Sequence, residues 1–293
     1  MKRAVILTNA YSTLPTGLNQ AERLKSEFER LGVSAEIRRN GFFASLDKDG
    51  TVINNFCGYD FCVYLDKDKY TSAILEKSGL RLFNSHAAVR VCDDKAETHL
   101  ALAGQGIPMP PTVAGLLCYD AGASVRSNDI DFIARTLGYP VIVKESYGSL
   151  GKGVYKADDR HELEVLCEKL KLVPHLFQKF ISTSAGKDLR VIVIGGKAVA
   201  AMQRKSDTDF RSNLELGGTA KSAEIDERLR DICELTAKTL NLDYCGIDVL
   251  YGENGEYLVC EVNSNAFFGG IERVTGVNIA RLYAEYICTK IYG

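Results

Sequence analysis

The chain has 293 residues, of which 46% are hydrophobic and 25% charged, and its formal net charge is −2. Such a composition is typical of a globular protein of two or three subdomains, and the balanced charge gives no reason to expect a nucleic-acid or membrane partner. The nine cysteines are odd in number and include no CxxC pair. A disulfide framework and a zinc ribbon are therefore disfavoured, and we expect a reducing cytoplasm.

The first 84 residues alternate between strand and helix patterns. RAVILT predicts a buried strand, and apolar residues from Leu18 to Leu31 recur at spacings of three and four, which predicts a helix ending at Gly32. VSAEIR and DFCVYLD predict two further strands, followed by a helix over about 69–77 and a short strand RLFN. We expect a Rossmann-like α/β domain. Its loop AYSTLPTGLNQ either binds a ligand or is only solvated.

Residues 85–183 form the predicted central region. A helix capped by Asp93 runs to GQGIPMPP, whose prolines mark a boundary. A small α/β lobe is expected over about 110–183, with a helix near 129–138, strands PVIVK and VYKA, and a helix from Asp159 to Leu170.

Residues 184–293 form the predicted C-terminal lobe. The hairpin DLRVIVIGGKAVAAMQR is expected to turn at Gly195-Gly196. A helix over about 225–241, a second hairpin, YCGIDVLYGENGEYLVCEVN, and a closing helix complete the chain.

A glycine-rich run, GSLGKG, lies between the strands PVIVK and VYKA. It is not a P-loop, because Gly153 and Val154 follow the lysine where Ser or Thr and a helix are required. It does not fit the dinucleotide fingerprint either, since a strand follows it. The loop is either an ordinary glycine-rich hairpin or a flexible cover whose backbone amides close over phosphates, with Lys144 reaching the same anion.

The second hairpin predicts a pair of facing acidic side chains. A two-residue turn at Asn254-Gly255 would place Asp248 opposite Glu261 and return Asn263 to the same face. The other face is predicted to carry Ile247, Val249, Cys260 and Val262. Facing carboxylates in apolar strands need a shared proton, a flanking lysine or a cation, and an all-oxygen set suits magnesium. The hairpin by itself leaves a metal site and a structural acid pair equally open, and the glycine-rich loop favours the metal.

In their order and spacing, PVIVKESYGSLGKGV, FQKFISTSAGKDLRVIVIGGKAVAAMQR, DFRSNLELGG and the acidic hairpin resemble the ATP-grasp superfamily. The resemblance is to its RimK-type glutamate ligases and amino-acid ligase relatives, and it runs from about Lys95 to Ala280. It implies an ATP-grasp fold of α+β lobes, and residues 1–84 resemble the α/β domain that precedes such modules. Two departures are NSNAFFGG, where a proline-glycine segment is usual, and Lys179, where glutamate is common.

The resemblance also implies roles for individual residues. Those that would contact or cover the phosphates of ATP are Lys95, Lys144, Ser149, Gly151, Gly153, Arg211, Ser212 and Asn213. Those that would border adenine, largely through backbone groups, are Lys179 and Phe180, and Asp188 would bind the ribose. Arg204 and Arg211 would face the transferred γ-phosphoryl group. Magnesium, with manganese as the alternative, would be held by Asp248, Glu261 and Asn263.

The activity implied by the resemblance is an ATP-dependent carboxylate–amine ligase that works through an acyl-phosphate and releases ADP and phosphate. Its partners would be a small-molecule or peptide carboxylate and an amino-acid amine such as glutamate. The sequence leaves open whether the protein forms a homo-oligomer. One alternative is the same chemistry with a D-amino acid or a cofactor-precursor acceptor. The other is a nucleotide-binding regulatory protein without turnover. Arg190 is left open between a solvated and a functional side chain, and Phe267 and Phe268 between core and acceptor pocket.

Overall fold

The computed structural model describes residues 2–293. The N-terminal elements are β1 (Arg3–Thr8), α1 (Pro15–Arg30), β2 (Ser34–Arg39), β3 (Ala44–Leu46), β4 (Val52–Asn54), β5 (Phe61–Leu65), α2 (Lys69–Lys77) and β6 (Arg81–Phe83). Four of the strands form a parallel sheet in the order β2-β1-β5-β6, here called the N-terminal sheet. The predicted helix ends as expected, with Gly32 at φ +75°, but it begins at Pro15, inside the stretch predicted as a loop. The β3–β4 hairpin was not predicted, because strands of three residues are too short to show alternation.

The central elements are α3 (His86–Asp93), α4 (Lys95–Leu102), β7 (Thr112–Ala114), α5 (Ser127–Leu137), β8 (Val141–Glu145), β9 (Val154–Ala157), α6 (Arg160–Leu170) and β10 (His175–Lys179). The strands form an antiparallel sheet in the order β7-β10-β8-β9, here called the small sheet. The predicted Asp93 cap is wrong by one residue. Asp94 caps α4 by accepting from the backbone N–H groups of Ala96 and Glu97, whereas Asp93 ends α3.

The C-terminal elements are β11 (Lys187–Ile194), β12 (Lys197–Lys205), β13 (Thr219–Ala223), α7 (Glu227–Thr239), β14 (Tyr244–Tyr251), β15 (Tyr257–Asn263), α8 (Gly269–Thr275) and α9 (Ile279–Tyr292). The strands form an antiparallel sheet in the order β13-β12-β11-β14-β15, here called the large sheet. The predicted turn between β11 and β12 at Gly195-Gly196 is confirmed. The mixed α/β architecture agrees with the predicted fold class.

The β14–β15 hairpin has the predicted acidic pair but not the predicted turn. Asp248 lies opposite Glu261, as expected. The turn, however, is a loop from Gly252 to Glu256, closed by a bond from the Gly252 N–H to the Glu256 carbonyl (2.9 Å). This longer turn shifts the pairing by one residue, and a bulge at Cys260 shifts it back before Glu261 is reached.

Apolar side chains of the N-terminal sheet, α1, the large sheet and α9 share one core. The buried Asn84 (1% exposed) strengthens this junction. Its Nδ2 donates to the carbonyls of Tyr244 (2.7 Å) and Ser264 (2.8 Å), and its Oδ1 accepts from the N–H groups of Asp243 and Tyr244. The N-terminal sheet is therefore held against the large sheet. No helix among residues 2–293 combines the length and apolar character needed to cross a bilayer.

Candidate active site

A cavity of about 340 Å³ opens where the three sheets meet. Its lining contains every site residue predicted from the sequence except Gly153, and it also includes residues of the N-terminal sheet and of α1. Nine basic and five acidic side chains line it. The excess of positive charge makes the cavity suited to a polyanionic ligand.

One face of the large sheet carries alternating charges into this cavity. Asp188 lies directly opposite Arg204, and Arg190 lies opposite Asp248. Arg190 Nε and Nη2 each donate to an oxygen of Asp248 at 2.7 Å. Arg204 Nε donates to Asp188 Oδ1 at 2.8 Å, and its Nη2 lies 2.9 Å from Asp248 Oδ2. These side chains form a buried network in which each carboxylate has an arginine partner.

This network involves two residues to which the resemblance assigns roles, and those roles stay predictions. Asp188, expected at the ribose, has both oxygens engaged by Arg204, because the two residues are cross-strand neighbours. Arg204 is only 2% exposed, and its guanidinium contacts the carboxylates of Asp188 and Asp248 while it also lines the cavity. Arg190, left open by the sequence, belongs to the same network. Burial would raise the pKa of Asp248, but Arg190 and Arg204 lower it to about 2.

Glu261 completes this row of charges at the edge strand. In contrast to Asp248, it has no basic side chain within 4.0 Å among residues 2–293. Asn263 follows on the same strand, and its Oδ1 accepts from the Asn265 N–H at 3.0 Å. Asp248, Glu261 and Asn263 offer only oxygen atoms, and one carboxylate is uncompensated. This donor set fits magnesium, which usually takes one or two carboxylates together with substrate phosphates.

No cluster of three or more His, Cys, Asp or Glu side chains with metal-binding geometry occurs in the described part of the chain. The two carboxylates and one amide of the hairpin therefore do not form a complete cage by themselves. Such an open set still suits magnesium, because substrate and water fill its remaining positions.

Lys144 is held in place by a chain of side chains that the sequence did not reveal. Its Nζ donates to Gln178 Oε1 (2.7 Å) and lies 3.2 Å from the sulfur of Cys260. Gln178 Nε2 contacts His99 Nε2 at 3.0 Å, and His99 Nδ1 contacts the Lys95 carbonyl at 2.9 Å. His99 therefore accepts at Nε2 and donates at Nδ1, which defines its neutral tautomer. Burial, followed by the charge of Lys144, lowers the pKa of His99 to about 4.

Cys260 was predicted on the apolar face of its strand, and this prediction is wrong. The bulge leaves it without a cross-strand partner, and its sulfur reaches Lys144 on the cavity side. A bulged pair of residues shares one side of the strand, which breaks the alternation that the prediction assumed.

Lys95 connects helix α4 to the glycine-rich loop. Its N–H donates to the Ser146 carbonyl (3.0 Å) and its Nζ to the Gly148 carbonyl (3.0 Å). Burial lowers the pKa of Lys95, while the charge of nearby Glu261 raises it. Lys95 therefore lies between the loop and the acidic hairpin, where a triphosphate could meet both.

The glycine-rich loop makes a direct contact with the large lobe. Arg211 Nη1 donates to the Gly151 carbonyl at 2.7 Å while its Nε and Nη2 bind Asp209. Gly151 has φ +73°, and a Cβ there would meet Leu216 at 3.0 Å and Asn213 at 3.1 Å. A Cβ would therefore crowd both side chains, and the positive φ also favours glycine at this position. Gly153 does not line the cavity, and a Cβ there would meet the Glu145 side chain at 2.9 Å. Its contact with ATP stays a prediction.

The segment predicted to border adenine lies at the end of β10. Lys179 and Phe180 both line the cavity, but the Lys179 N–H donates to the Pro111 carbonyl at 2.9 Å. That N–H is therefore not available to a base. Phe180 lies edge-on to Phe210, with ring centroids 6.5 Å apart, and the two rings provide an apolar wall. Ser212 and Asn213 continue the lining beside Arg211.

The N-terminal domain builds part of the cavity wall. Asn9, Ser12 and Gln20, from the loop after β1 and the start of α1, line it together with Asp66. The sequence allows this loop either to bind a ligand or to be only solvated, and in the structure it lines the cavity. Phe267 also lines the cavity, whereas Phe268 is in the core (1% exposed).

The architecture and the site together define an ATP-grasp protein. A family model described as the RimK-like ATP-grasp domain matches residues 92–287, and this chain belongs to that family. This confirms the resemblance inferred from the sequence.

Named relatives and a solved structure agree with the family. The chain is 37% identical over 226 residues to human N-acetylaspartylglutamate synthase A, covering 76% of this chain and 56% of that protein. It is 39% identical over 216 residues to a probable alpha-L-glutamate ligase of Enterobacter sp. (strain 638), covering 72% and 69%. The ATP-grasp ligase PsnB, solved with a precursor variant, Mg and ADP, superposes with a TM-score of 0.69 at 20% identity, covering 99% of both chains. This chain thus spans little more than half of the human relative.

Proposed function

We propose that this protein is an ATP- and magnesium-dependent ligase that joins a carboxylate to an amine. The observation that carries the proposal is the meeting of Lys95, Lys144 and the glycine-rich loop with the Asp248–Glu261 pair in one basic cavity. The names of the relatives, which are synthases and ligases of glutamate compounds, and the Mg and ADP bound to PsnB support it.

The phosphates of ATP would lie between the two lobes. Lys95 and Lys144 would bind them as cations, and the backbone amides of the Ser149–Gly153 loop would cover them. Arg211, tied to Asp209 and to the loop, is placed to contact the γ-phosphoryl group. Arg204 instead orients Asp188 and Asp248. Adenine would pack beside Phe180 and Phe210.

Glu261, Asn263 and Asp248 would hold magnesium. When bound, the ion neutralises charge on the phosphates that it contacts. Glu261 would be its principal protein ligand, because its charge has no arginine partner. Asp248 would contribute less, since Arg190 and Arg204 already offset its charge.

The reaction proposed for this site has two steps. A carboxylate oxygen attacks the γ-phosphorus, the bond to the β–γ bridging oxygen breaks, and ADP leaves with an acyl-phosphate formed. The amine nitrogen then attacks the acyl carbon, the carbon–oxygen bond to phosphate breaks, and the nitrogen loses a proton as the amide forms. The contact between Arg211 and the Gly151 carbonyl would keep the loop closed, which excludes water from the acyl-phosphate.

For the amine we propose an amino acid, with glutamate as the first candidate because both named relatives carry it in their names. The carboxylate would be a small molecule or a peptide end. The segment NSNAFFGG departs from the family pattern at the cavity wall, where Asn265 and Phe267 lie, so substrate choice is the feature that we expect to differ from relatives.

A product assay tests the proposal. The purified protein is incubated with ATP, magnesium, and pools of carboxylates and amines, and nucleotides and phosphate are quantified. We expect ADP and phosphate only when both pools are present. Formation of AMP and pyrophosphate would contradict the acyl-phosphate mechanism and indicate adenylate chemistry. Nucleotide binding without turnover in every pool would favour a regulatory protein.

A further inference from the structure

The part of the cavity lining that the N-terminal domain provides contains a buried acceptor atom without a donor. Gln20, on α1, is 4% exposed and lines the cavity. Its Nε2 lies 3.5 Å from Asn265 Oδ1, but its Oε1 is the one buried side-chain nitrogen or oxygen atom among residues 2–293 that has no hydrogen-bond partner. Buried carbonyl oxygens are rarely left unpaired, because desolvation without a hydrogen bond is unfavourable. The atom therefore points to a ligand that donates.

The N-terminal domain also contributes to the cavity lining a buried acidic side chain without an ion pair. Asp66, directly after β5, is 5% exposed. Its oxygens accept from Asn9 Nδ2 (2.9 Å), Asn40 Nδ2 (2.8 Å) and the Lys67 N–H (2.7 Å), which are all neutral donors. The Lys67 ammonium turns away to Asp93 at 3.2 Å. No basic side chain of residues 2–293 lies within 4.0 Å of Asp66. A buried charge in this state favours a cationic ligand nearby.

The N-terminal residues of the lining therefore add an acceptor and a negative charge to a cavity that is otherwise rich in cations. They offer Gln20 Oε1 and the carboxylate of Asp66, while the ammonium of Lys67, which also lines the cavity, is paired with Asp93. Leu14, Leu18 and Phe267 also line the cavity and provide apolar surface for a short carbon chain. A group that is positively charged and donates N–H bonds, next to a few methylenes, is the amino end of an amino acid.

We propose that Gln20 and Asp66 form the subsite for the nitrogen of the amine substrate. Gln20 Oε1 accepts a hydrogen bond from that nitrogen, Asn265 orients the glutamine amide, and Asp66 attracts the charged form on entry. The ammonium releases one proton to solvent before the neutral amine attacks, and the nitrogen loses its second proton as the amide forms. This inference rests on the ligase function proposed above and adds which substrate lies against the N-terminal domain. The carboxyl group of the other substrate would then lie between this nitrogen and Arg211, so that the nitrogen can reach the acyl carbon.

Binding measurements with defined probes test the subsite without turnover. The protein is loaded with a non-hydrolysable ATP analogue and magnesium and titrated calorimetrically with the twenty common L-amino acids and D-alanine. Each amino acid that binds is compared with the same acid lacking its amino group, such as L-glutamate with glutarate. We expect at least one amino acid to bind and its deaminated counterpart to bind at least tenfold more weakly. Failure of every amino acid to bind, or equal binding of a pair, overturns the proposal.

Two substitutions at Gln20 separate recognition from packing. Gln20→Met keeps the size of the side chain and removes the acceptor, so the amino acid should bind at least tenfold more weakly while the deaminated acid and the ATP analogue are unaffected. Gln20→Glu keeps an acceptor oxygen and should restore binding. Gln203→Met is the matched control, because Gln203 bonds to Tyr251 Oη at 2.7 Å outside the cavity. Wild-type amino-acid affinity in Gln20→Met, or an equal loss for both acids, contradicts the proposal.

The subsite and the ligase function can fail separately. Amino-acid binding that depends on Gln20, without ADP formation in any substrate pool, would contradict the ligase function and support the subsite. Ligase turnover in Gln20→Met with an unchanged KM for the amine, or with a raised KM for the carboxylate, would contradict the subsite and support the ligase function.

Discussion

At the scale of single residues, the two carboxylates of the acidic hairpin have different surroundings. Asp248 is bound by Arg190 and contacted by Arg204, and its charge is required to compensate theirs. Glu261 lies opposite it without a basic partner within 4.0 Å in residues 2–293. A ligand can therefore use Glu261 without disturbing the buried network, whereas any change to Asp248 also affects the arginines.

This difference predicts separate outcomes for neutral substitutions at the two positions. Glu261→Gln should lower the rate of ADP formation by at least about 100-fold, because the proposed metal ligand is lost, and should change the melting temperature by less than about 2 °C. Asp248→Asn should lose activity and also melt earlier, since Arg190 and Arg204 lose a buried counter-charge. Activity close to wild type in Glu261→Gln would remove the proposed metal site.

Arg204 is expected to contribute to stability more than its place in the cavity suggests. Arg204→Met would leave Asp188 buried without a cation, and breaking a buried ion pair on one side costs about 3–5 kcal/mol. Urea unfolding monitored by circular dichroism measures this loss. Arg126→Met removes an exposed pair with Asp129 and should leave the unfolding curve unchanged. Equal unfolding midpoints for the two variants would contradict the assigned role of Arg204.

His99 predicts a pH dependence of stability. Its pKa is lowered from 6.5 to about 4, so the unfolded chain binds a proton at a pH where the folded chain does not. The stability that neutral His99 contributes is complete above pH 6.5 and is lost as the pH falls toward 4. Over this range the free energy of unfolding should decrease by about 3 kcal/mol. Lys95 and Lys144 oppose protonation, and Glu261 favours it.

Unfolding midpoints in urea at several pH values test this expectation. In His99→Gln the free energy of unfolding should depend less on pH between 6.5 and 4. His161→Gln, at an exposed histidine, should keep the wild-type profile. The same decline with pH in His99→Gln would assign the effect to other groups.

At the scale of the elements, two β-bulges decide which side chains meet in the cavity. A two-residue turn at Gly195-Gly196 by itself would pair Asp188 with Gln203, and the extra residue Val199 in β12 moves Arg204 opposite Asp188 instead. The extra residue Cys260 in β15 likewise restores the pairing of Asp248 with Glu261. Turn signals in the sequence are readable because specific residues favour positive φ. Bulges carry no such signal here, so the arginine network could not be predicted.

The acidic pair itself was predicted through two errors that cancel. The assumed two-residue turn and the assumed continuous ladder differ from the real five-residue loop and the real bulge by one position each. Only residues beyond the bulge regain the expected pairing. Cys260 is the bulged residue itself, so the prediction of its face is wrong. The contact of Cys260 with Lys144 follows from that single extra residue.

The glycine-rich loop predicts a steric requirement that can be isolated. Gly151→Ala should raise the KM for ATP about tenfold or more, because a methyl group would meet Leu216 and Asn213 at about 3 Å and keep the loop from closing. Gly50→Ala is the matched control, since Gly50 has φ +77° and open space around it. Both variants should lose about 1 kcal/mol of folding stability through an unfavourable backbone conformation. Only Gly151→Ala should change the KM for ATP. Equal ATP kinetics in the two variants would mean that the close approach has no function.

At the scale of the whole molecule, the sequence predicts most of the longer elements in their order but not their assembly. Regular periodicity located β1, α1, β5 and α2 because each buries one face or a whole strand. The return of α9 to the N-terminal sheet depends on contacts between distant parts of the chain, for which no local pattern exists. The same holds for Gln20 and Asn265, which are 245 residues apart.

The central claim is that the chain activates a carboxylate as an acyl-phosphate in this cavity. The most direct test uses carboxylate substrates labelled with ¹⁸O in the carboxyl group, together with ATP, magnesium and amines, and mass spectrometry of the products. Because the acyl-phosphate passes one carboxyl oxygen to phosphorus, we expect one ¹⁸O atom in each phosphate released with ADP. Label in AMP, or an amide formed beside unlabelled phosphate, would contradict the account.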